Sequence, residues 1–338
     1  MPSITDLLAD ANCKWRATKL LLGEEIVVPL ETCPTCGSPM DFKKDPFKME
    51  EEGLEFFIAD KVHCFKLRCS NSGCCYSWSL FADTMFFNGK KEPNQLLLFF
   101  QLWLACADHV TMAGMLKWTE KTVLQYCQVM RELVVADMLR LMQNAGVGYN
   151  GYGGIIGGPG VEVQIDESAF GKRKYNVGRI VETKWVLGGV EIRRDHMGRK
   201  RAGDVFLVVV PNRTRRVLRE VISQYVHHGS YVVTDCWTGY NNLQELGYLH
   251  ATVNHTRWFK NPTTGVCTNT IEGKWNGIKK QILRQGFRSA VMLQSYLGKH
   301  MWRQQNKTTY WHSLMRALRH NTNYRISHGE KPPFMLEY

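Results

Sequence analysis

Residues 161–166 read VEVQID, and two further stretches of the same character follow, TKWVLGGVEI at 183–192 and DVFLVVV at 204–210. Their β-branched residues are typical of strands. Strict alternation in the first stretch places Ile165 on one face and Asp166 on the other, so that this strand ends on an acid. We therefore expect a sheet that begins at residue 161.

Helix and strand patterns alternate in the residues that follow. TRRVLREVISQYV (214–226) and TNTIEGKWNGIKKQIL (268–283) predict amphipathic helices, whereas YVVTD (231–235) and ATVNH (251–255) predict short strands. The predicted apolar faces of the two helices are Val217, Val221 and Tyr225 in the first, and Ile271, Trp275, Ile278 and Ile282 in the second. The fold class is therefore α/β, with a sheet of mixed, partly antiparallel order.

The charge of the chain is unevenly distributed. The 338 residues carry a net charge of +12, and the first 160 residues contribute −3 while the remainder contributes +15. A half as basic as this favours a polyanion partner, most commonly a nucleic acid. No apolar run is long enough to cross a bilayer, and the start MPSITDLLAD lacks the basic and apolar regions of a secretion signal. We therefore expect an intracellular protein without a membrane partner.

Three acids occupy positions suited to a metal site. Asp166 and Asp235 each end a predicted strand, and Glu272 lies one turn into a helix at the edge of its apolar face. Two acids at neighbouring strand ends would repel each other, and a divalent cation removes that repulsion. Three carboxylates can hold two Mg²⁺ ions, or Mn²⁺ in their place. Glu167 and Asp204 are rival acids for the same site.

Around these acids the sequence resembles the Merlin superfamily of cut-and-paste transposases and its bacterial insertion-sequence relatives. The matching motifs are IGGPGVEVQIDESAFGKRKYNVGR (156–179), WVLGGVE (185–191), FLVVVPNRT (206–214), VVTDCWTGYNNLQELGYLHATVNHT (232–256) and TNTIEGKWNGIKK (268–280). The resemblance implies an RNase H-like catalytic core over 161–320 whose three catalytic acids fall on Asp166, Asp235 and Glu272. It also matches His255 to a histidine near the active site, although a structural role is the stronger interpretation for that residue.

The family implies a DDE transposase, an enzyme that cleaves DNA at element ends and joins the 3′-hydroxyl to target DNA. Its partners would be the terminal inverted repeats and the target duplex, and it would act as a homodimer or larger assembly on DNA. In a eukaryote it would be nuclear, and in a bacterium it would lie in the cytoplasm or nucleoid. The alternative is a domesticated DNA-binding protein without catalytic activity, and a third candidate is a simple nuclease of the same fold.

The family's N-terminal part also fits, because residues 1–90 contain paired cysteines that predict a zinc-ribbon-like region. Cys33 and Cys36 form a CxxC pair, and Cys69 with Cys74 forms a second pair of wider spacing. Four thiolates in two close pairs suit structural Zn²⁺. Cys75 could replace Cys74, and Cys64 is a spare.

Several basic residues are predicted to contact DNA phosphates, which gives affinity and register rather than sequence preference. They are Lys172, Arg173, Lys174, Arg193, Arg194, Lys200, Arg201, Lys274, Lys279, Lys280 and Arg284, together with Arg199 beside the predicted hairpin turn at Met197-Gly198. Trp275 is expected to be part of the core rather than a stacking platform for bases.

The remaining boundaries follow from composition. The pattern of residues 91–145 predicts helices. Two of them, Thr111–Trp118 and the helix from Thr119 onward, have roughly the length of a helix-turn-helix. That segment is electrically neutral over 91–142, so dimerisation or plain packing is an equal interpretation. The glycine-rich residues 146–160 predict a linker, and 321–338 a C-terminal tail.

Overall fold

The computed structural model describes residues 13–43, 66–80, 91–144, 154–171, 183–254, 267–285, 287 and 289–328. The chain divides into two compact units, Met1–Leu133 with Thr309–Tyr338, and Val134–Thr308. None of the helices in the described ranges is long and apolar enough to cross a membrane.

The first unit combines a small sheet with helices. Strands β1 (Met40–Phe42), β2 (Lys66–Cys69) and β3 (Ser77–Ser79) pair antiparallel in the order β1-β2-β3. In its described residues, the helices that belong wholly or partly to this unit are α1 (Lys14–Gly23), α2 (Pro93–Leu104), α3 (His109–Leu116), α4 (Glu120–Asn144) and α8 (Tyr310–His328). Helix α4 begins in this unit and continues past its boundary at Leu133.

Two features of the first unit bear on the predicted boundaries. Helices α3 and α4 are joined by three residues, with Lys117 in the left-handed region and Thr119 accepting a hydrogen bond from the Thr122 amide at 3.2 Å. This arrangement is compatible with the predicted helix-turn-helix. At the other end, helix α8 continues to His328, so residues 321–328 are helical where the sequence predicts a tail.

The second unit contains a five-stranded sheet in the order β6-β5-β4-β7-β8. Strands β4, β5 and β6 are successive antiparallel neighbours, whereas β7 pairs parallel to β4 and β8 parallel to β7. The strands are β4 (Glu162–Phe170), β5 (Lys184–Arg194), β6 (Lys200–Val210), β7 (Tyr231–Asp235) and β8 (Leu249–Val253). The predicted α/β fold with a mixed sheet is confirmed, and this order is compatible with an RNase H-like core.

Helices cover both faces of this sheet. Helix α5 (Arg215–Tyr225) buries Leu218, Ile222 and Tyr225 against Val163 and Ile165 of β4. Of the predicted apolar face, Tyr225 is confirmed, whereas Val217 and Val221 are only partly buried beside Leu218 and Ile222. On the other face α6 (Asn269–Gln285) buries its four predicted apolar residues, from Ile271 to Ile282, as expected.

Helix α7 (Ala290–Gln305) packs along the edge of the sheet that is formed by β6. The Gln294 side chain accepts a hydrogen bond from the Val209 amide at 2.8 Å and donates one to the Leu207 carbonyl at 3.1 Å, both on the edge strand β6. An uncovered strand edge would offer these groups to another chain. The helix thus replaces the missing neighbour of β6.

The glycine-rich segment is partly built into this unit. Residues 154–160 precede β4, and Ile156 is 3% exposed in the core and bridges to Val226. The Gly158 amide donates a hydrogen bond to the Ser230 hydroxyl at 3.0 Å. This end of the predicted linker is therefore packed, because its backbone groups bond to the rest of the unit and Ile156 is buried, whereas the neighbouring Ile155 is 37% exposed.

Candidate active site and cysteine cluster

Asp166 and Asp235 meet because of the register between β4 and β7. Gln164 is the last β4 residue paired with β7, opposite Val233, and each aspartate lies two residues further along its strand. Parallel strands keep such positions level, so both side chains reach the same point at the edge of the sheet. Asp235 ends β7 as predicted, but Asp166 lies in the middle of β4, which continues to Phe170 along its antiparallel partner β5.

Asp166 is held from the side of helix α6. The Trp275 indole nitrogen donates a hydrogen bond to Asp166 Oδ2 at 3.0 Å. The ring can lie there because Gly188, directly opposite Asp166 on β5, has no side chain: a Cβ at Gly188 would lie 2.6 Å from the indole. Burial raises the pKa of Asp166 to about 6, with a further contribution from the charges of Asp235 and Glu272.

Glu167 is the third acid that the structure brings to this point. One carboxylate oxygen from each of Asp166, Glu167 and Asp235 lies within 4.8 Å of the others. Burial raises the pKa of Glu167 to about 7, and the nearby Arg213 guanidinium opposes that rise. The fully buried Tyr240 hydroxyl also interacts with the Glu167 carboxylate and lowers its pKa. Three carboxylates this close together repel one another, and a bound cation would compensate their charge.

Glu272 approaches from the first turn of α6. Its Oε1 accepts a hydrogen bond from the Thr268 hydroxyl at 2.8 Å, and its charge is one of those that raise the pKa of Asp166. The helix start is fixed to β4 by the Thr270 amide, which donates to Gln164 Oε1 at 3.0 Å. Within the described ranges, however, Glu272 is not part of the group whose oxygens lie within 4.8 Å.

The other rival acid lies in a different environment. Asp204 pairs with the Arg193 guanidinium at 2.6 Å. Its side chain is therefore neutralised on the outer part of the β5–β6 hairpin rather than added to the acidic group. Asp235, in contrast, accepts a hydrogen bond from the Trp237 backbone amide at 2.9 Å, which fixes the turn that follows β7.

Several of the predicted phosphate contacts are engaged in ion pairs. Arg193 also binds Glu191 at 2.6 Å, Lys200 binds Glu162 at 2.6 Å, and Arg201 binds Asp195 at 3.2 Å. The predicted hairpin turn is confirmed, since Arg194 pairs with Lys200 in the register of β5 and β6. These ion pairs leave less free positive charge on the hairpin than the sequence suggests.

The predicted basic residues of α6 differ from one another. Lys274 and Lys279 are half-buried, and burial lowers the pKa of each amine, whereas Lys280 is exposed. Lys279 lies 5.7 Å from the centre of the Phe170 ring. The remaining predictions fall outside the described residues or side chains: Lys172, Arg173, Lys174, His255, Cys64 and the side chain of Arg284.

The four predicted zinc ligands come together in the first unit. The sulfurs of Cys33, Cys36, Cys69 and Cys74 lie within 4.8 Å of one another, with Cys33–Cys74 at 3.8 Å and Cys36–Cys69 at 3.4 Å. Four sulfurs placed about 2.3 Å from one tetrahedral zinc ion would be about 3.8 Å apart. Cys75 is exposed and is not among the four. The cluster therefore fits the ligand set of a zinc ribbon.

Hydrogen bonds and burial act on these thiols in opposite directions. The Ser38 side chain and amide lower the pKa of Cys36 to about 6, and burial raises the pKa of Cys69 to about 12. At neutral pH the Cys69 thiol therefore keeps its proton, whereas Cys36 has largely lost its own. A bound divalent metal would replace those protons, because the ligand form of cysteine is the thiolate.

Comparison with known families identifies one match. Residues 156–305 match the ISXO2-like transposase domain, a stretch that contains all three predicted catalytic acids and Glu167. No curated protein matches the chain. The family match supports a DDE transposase of the insertion-sequence type, and it begins beyond the cysteine cluster and the helices α2 and α3.

Proposed function

We propose that this protein is an active DNA transposase that cleaves DNA at element ends and transfers the freed 3′-hydroxyl to target DNA. The observation that carries the proposal is the convergence of Asp166 and Asp235 at one edge of a mixed five-stranded sheet, with Glu167 beside them. Glu272 approaches the same point closely enough for its charge to act on Asp166. The sequence motifs around Asp166, Asp235 and Glu272 favour the Merlin branch of these enzymes.

Asp166, Asp235 and Glu272 are the proposed ligands of two Mg²⁺ or Mn²⁺ ions. Bound ions of this kind activate the attacking water or 3′-hydroxyl and stabilise the leaving oxygen. The protein's own residues prepare the site: Trp275 orients Asp166, the Trp237 amide orients Asp235, and Thr268 orients Glu272. Burial disfavours uncompensated charge on the aspartate, which is the condition under which a carboxylate gains most from a cation.

Cleavage of a donor plasmid tests this proposal directly. The plasmid carries the coding sequence with its natural flanking DNA, and the products are analysed in Mg²⁺ and in EDTA. Asp166→Asn, Asp235→Asn and Glu272→Gln should each abolish cleavage while retaining binding to the flanking DNA. Asp204→Asn is the matched control, because that acid is paired with Arg193 away from the group, and it should still cleave.

The same experiment separates the alternatives. Binding without cleavage by the wild-type protein would indicate a domesticated DNA-binding protein. Hydrolysis without joining to target DNA would indicate a nuclease. Cleavage that persists in all three acid variants would refute the proposed site.

We further propose that Cys33, Cys36, Cys69 and Cys74 hold one structural Zn²⁺, because their sulfur separations suit a tetrahedral ion. The active form is proposed to be a homodimer or larger complex on double-stranded DNA, since two element ends have to be joined. Such an enzyme acts in the nucleus of a eukaryote or at the nucleoid of a bacterium.

A further inference from the structure

A surface cavity lies beside the candidate active site. It has a volume of about 560 Å³ and is lined by Arg213, Thr214, Arg215, Trp237, Thr238 and Gly239. Trp237 connects the cavity to the acidic group, because its backbone amide donates to Asp235 Oδ1 at 2.9 Å. A molecule in this cavity would therefore lie within a few residues of the proposed metal ligands.

Trp237 is exposed in an unusual way. The residue is 41% exposed, more than any other Phe, Tyr or Trp whose burial is described. The indole nitrogen donates to the Arg213 carbonyl at 3.5 Å and the Arg213 guanidinium lies against the ring, so the indole is held in place while part of its surface remains open to solvent. An exposed, oriented indole is a stacking surface for a planar ring.

Arg213 supplies a fixed positive charge in the same cavity. Its guanidinium carbon lies 3.8 Å from the centre of the Trp185 ring and 4.9 Å from that of Trp237, so the group is held against two indoles. Among the described residues it pairs with no carboxylate at ion-pair distance. The N–H donors of a guanidinium lie in its own plane, so a guanidinium stacked on an aromatic ring can still bind a phosphate through its edge.

Arg215 adds a second cation to the wall of the cavity. It is exposed at the first position of α5 and has no ion pair among the described residues. Thr214, which could cap this helix, instead donates its hydroxyl hydrogen bond to Asn212 at 2.7 Å. The cavity therefore combines one aromatic face with two cations, which matches the base and phosphate of a nucleotide rather than an apolar ligand.

We propose that this cavity binds one unpaired nucleotide of the DNA strand next to the cleavage point, with its base stacked on Trp237 and its phosphate bound by Arg213 and Arg215. The inference rests on the proposed transposase function. It adds a subsite that takes a base out of the duplex, a state that is easier to reach where the base is already unpaired. The cavity volume falls in the usual range for small-molecule sites and accommodates a nucleotide.

The test measures DNA binding in EDTA, so that it does not depend on cleavage. Three duplexes of the element end are compared: fully paired, with one mispaired nucleotide at the cleavage point, and with an abasic residue there. The wild-type protein should bind the mispaired duplex about 10-fold more tightly than the paired one, as expected for one base–aromatic stack. The abasic duplex should not show this gain.

Variants test whether the tighter binding of the mispaired duplex depends on the cavity. Trp237→Ala should lose the preference for the mispaired duplex, whereas Trp237→Phe should retain most of it because a ring remains. Arg215→Ala should weaken binding to every duplex and reduce the salt dependence by about one phosphate contact. Arg216→Ala is its matched control, since Arg216 is exposed on the same helix but does not line the cavity, and it should change binding less.

The outcomes separate this inference from the proposed function. An equal preference in the wild type and in Trp237→Ala, or no preference at all, would overturn the subsite even if the protein cleaves DNA in Mg²⁺. A preference that depends on Trp237 in a protein that never cleaves would support the subsite and refute the proposed catalytic function.

Discussion

Replacing Glu167 by glutamine should make the metal-free protein more stable at pH 8. Burial raises the pKa of this carboxyl from 4.5 to about 7, so the folded protein accepts the negative charge less readily than the unfolded chain does. That difference corresponds to about 3 kcal/mol of lost stability once the pH exceeds 7. Because the side chain is not fully buried, we expect the variant to gain about 2 kcal/mol.

The sign of this effect depends on pH. Below pH 4.5 the carboxyl is protonated in both the folded and the unfolded protein, and the variant should match the wild type. As the pH rises from about 4.5 to 7, the unfolded chain loses its proton first, and the wild type is progressively destabilised relative to the variant. The gain should therefore be fully developed at pH 8 and absent at pH 4.

Urea unfolding in EDTA at pH 4, 6 and 8 provides the measurement. Glu220→Gln is the matched control, because Glu220 is exposed on α5 and its replacement should leave the stability curve nearly unchanged. Added Mg²⁺ should stabilise the wild type by mass action and should stabilise Glu167→Gln less if Glu167 helps to hold the ion. A variant that is no more stable than the wild type at pH 8 in EDTA would refute the electrostatic argument.

Three further outcomes follow from the same structure. Trp275→Phe removes the hydrogen bond to Asp166, so the Mg²⁺ concentration needed for half-maximal cleavage should rise several-fold; an unchanged requirement would contradict an orienting role. The apparent Mg²⁺ affinity should also increase between pH 6 and pH 8, because Asp166 with a pKa of about 6 must lose its proton to bind metal, and a flat profile would argue against it as a ligand. If the proposed zinc site is correct, atomic emission should find one ion per chain in the wild type and in Cys75→Ser, and a content close to zero in Cys36→Ser.

The sequence is sufficient to predict the elements of the sheet but not their full length. Asp is depleted in strands, which is why the sequence predicts that the first strand stops at Asp166. In the structure β4 continues to Phe170, because β5 pairs with it over its whole length while the parallel partner β7 reaches only Gln164. The length of the neighbouring strand is a property of the tertiary fold, and a local sequence pattern does not reveal it.

Glu167 shows a similar limit for the candidate site. Alternation places it on the face opposite Asp166, and the sequence offers it only as a rival acid for the same site. In the structure it lies beside Asp235 and the buried Tyr240, which are both distant from it in sequence. The signal available beforehand was its position directly after the first acid, and that signal does not distinguish a ligand from a solvated side chain.

The ion pairs of the basic hairpin and the choice between Cys74 and Cys75 also depend on the tertiary structure. Charge counts predict a phosphate-binding surface, but Lys200 meets Glu162 because two strands 38 residues apart in sequence lie near each other. The spacing of the cysteines left Cys74 and Cys75 equivalent. The turn in which Asn71 accepts from the Cys74 amide at 3.0 Å brings Cys74, and not its neighbour, towards Cys33.

The contacts of helix α8 impose an order of events during synthesis. Arg319 donates to the Glu24 carbonyl at 2.9 Å and the Thr322 hydroxyl donates to the Ile26 carbonyl at 2.8 Å, so the segment after α1 is completed by residues made nearly 300 positions later. The central unit can fold while translation continues, whereas the segment after α1 makes these contacts only once the last helix has left the ribosome. A prematurely terminated chain would therefore retain the acidic site but present an unfinished N-terminal unit.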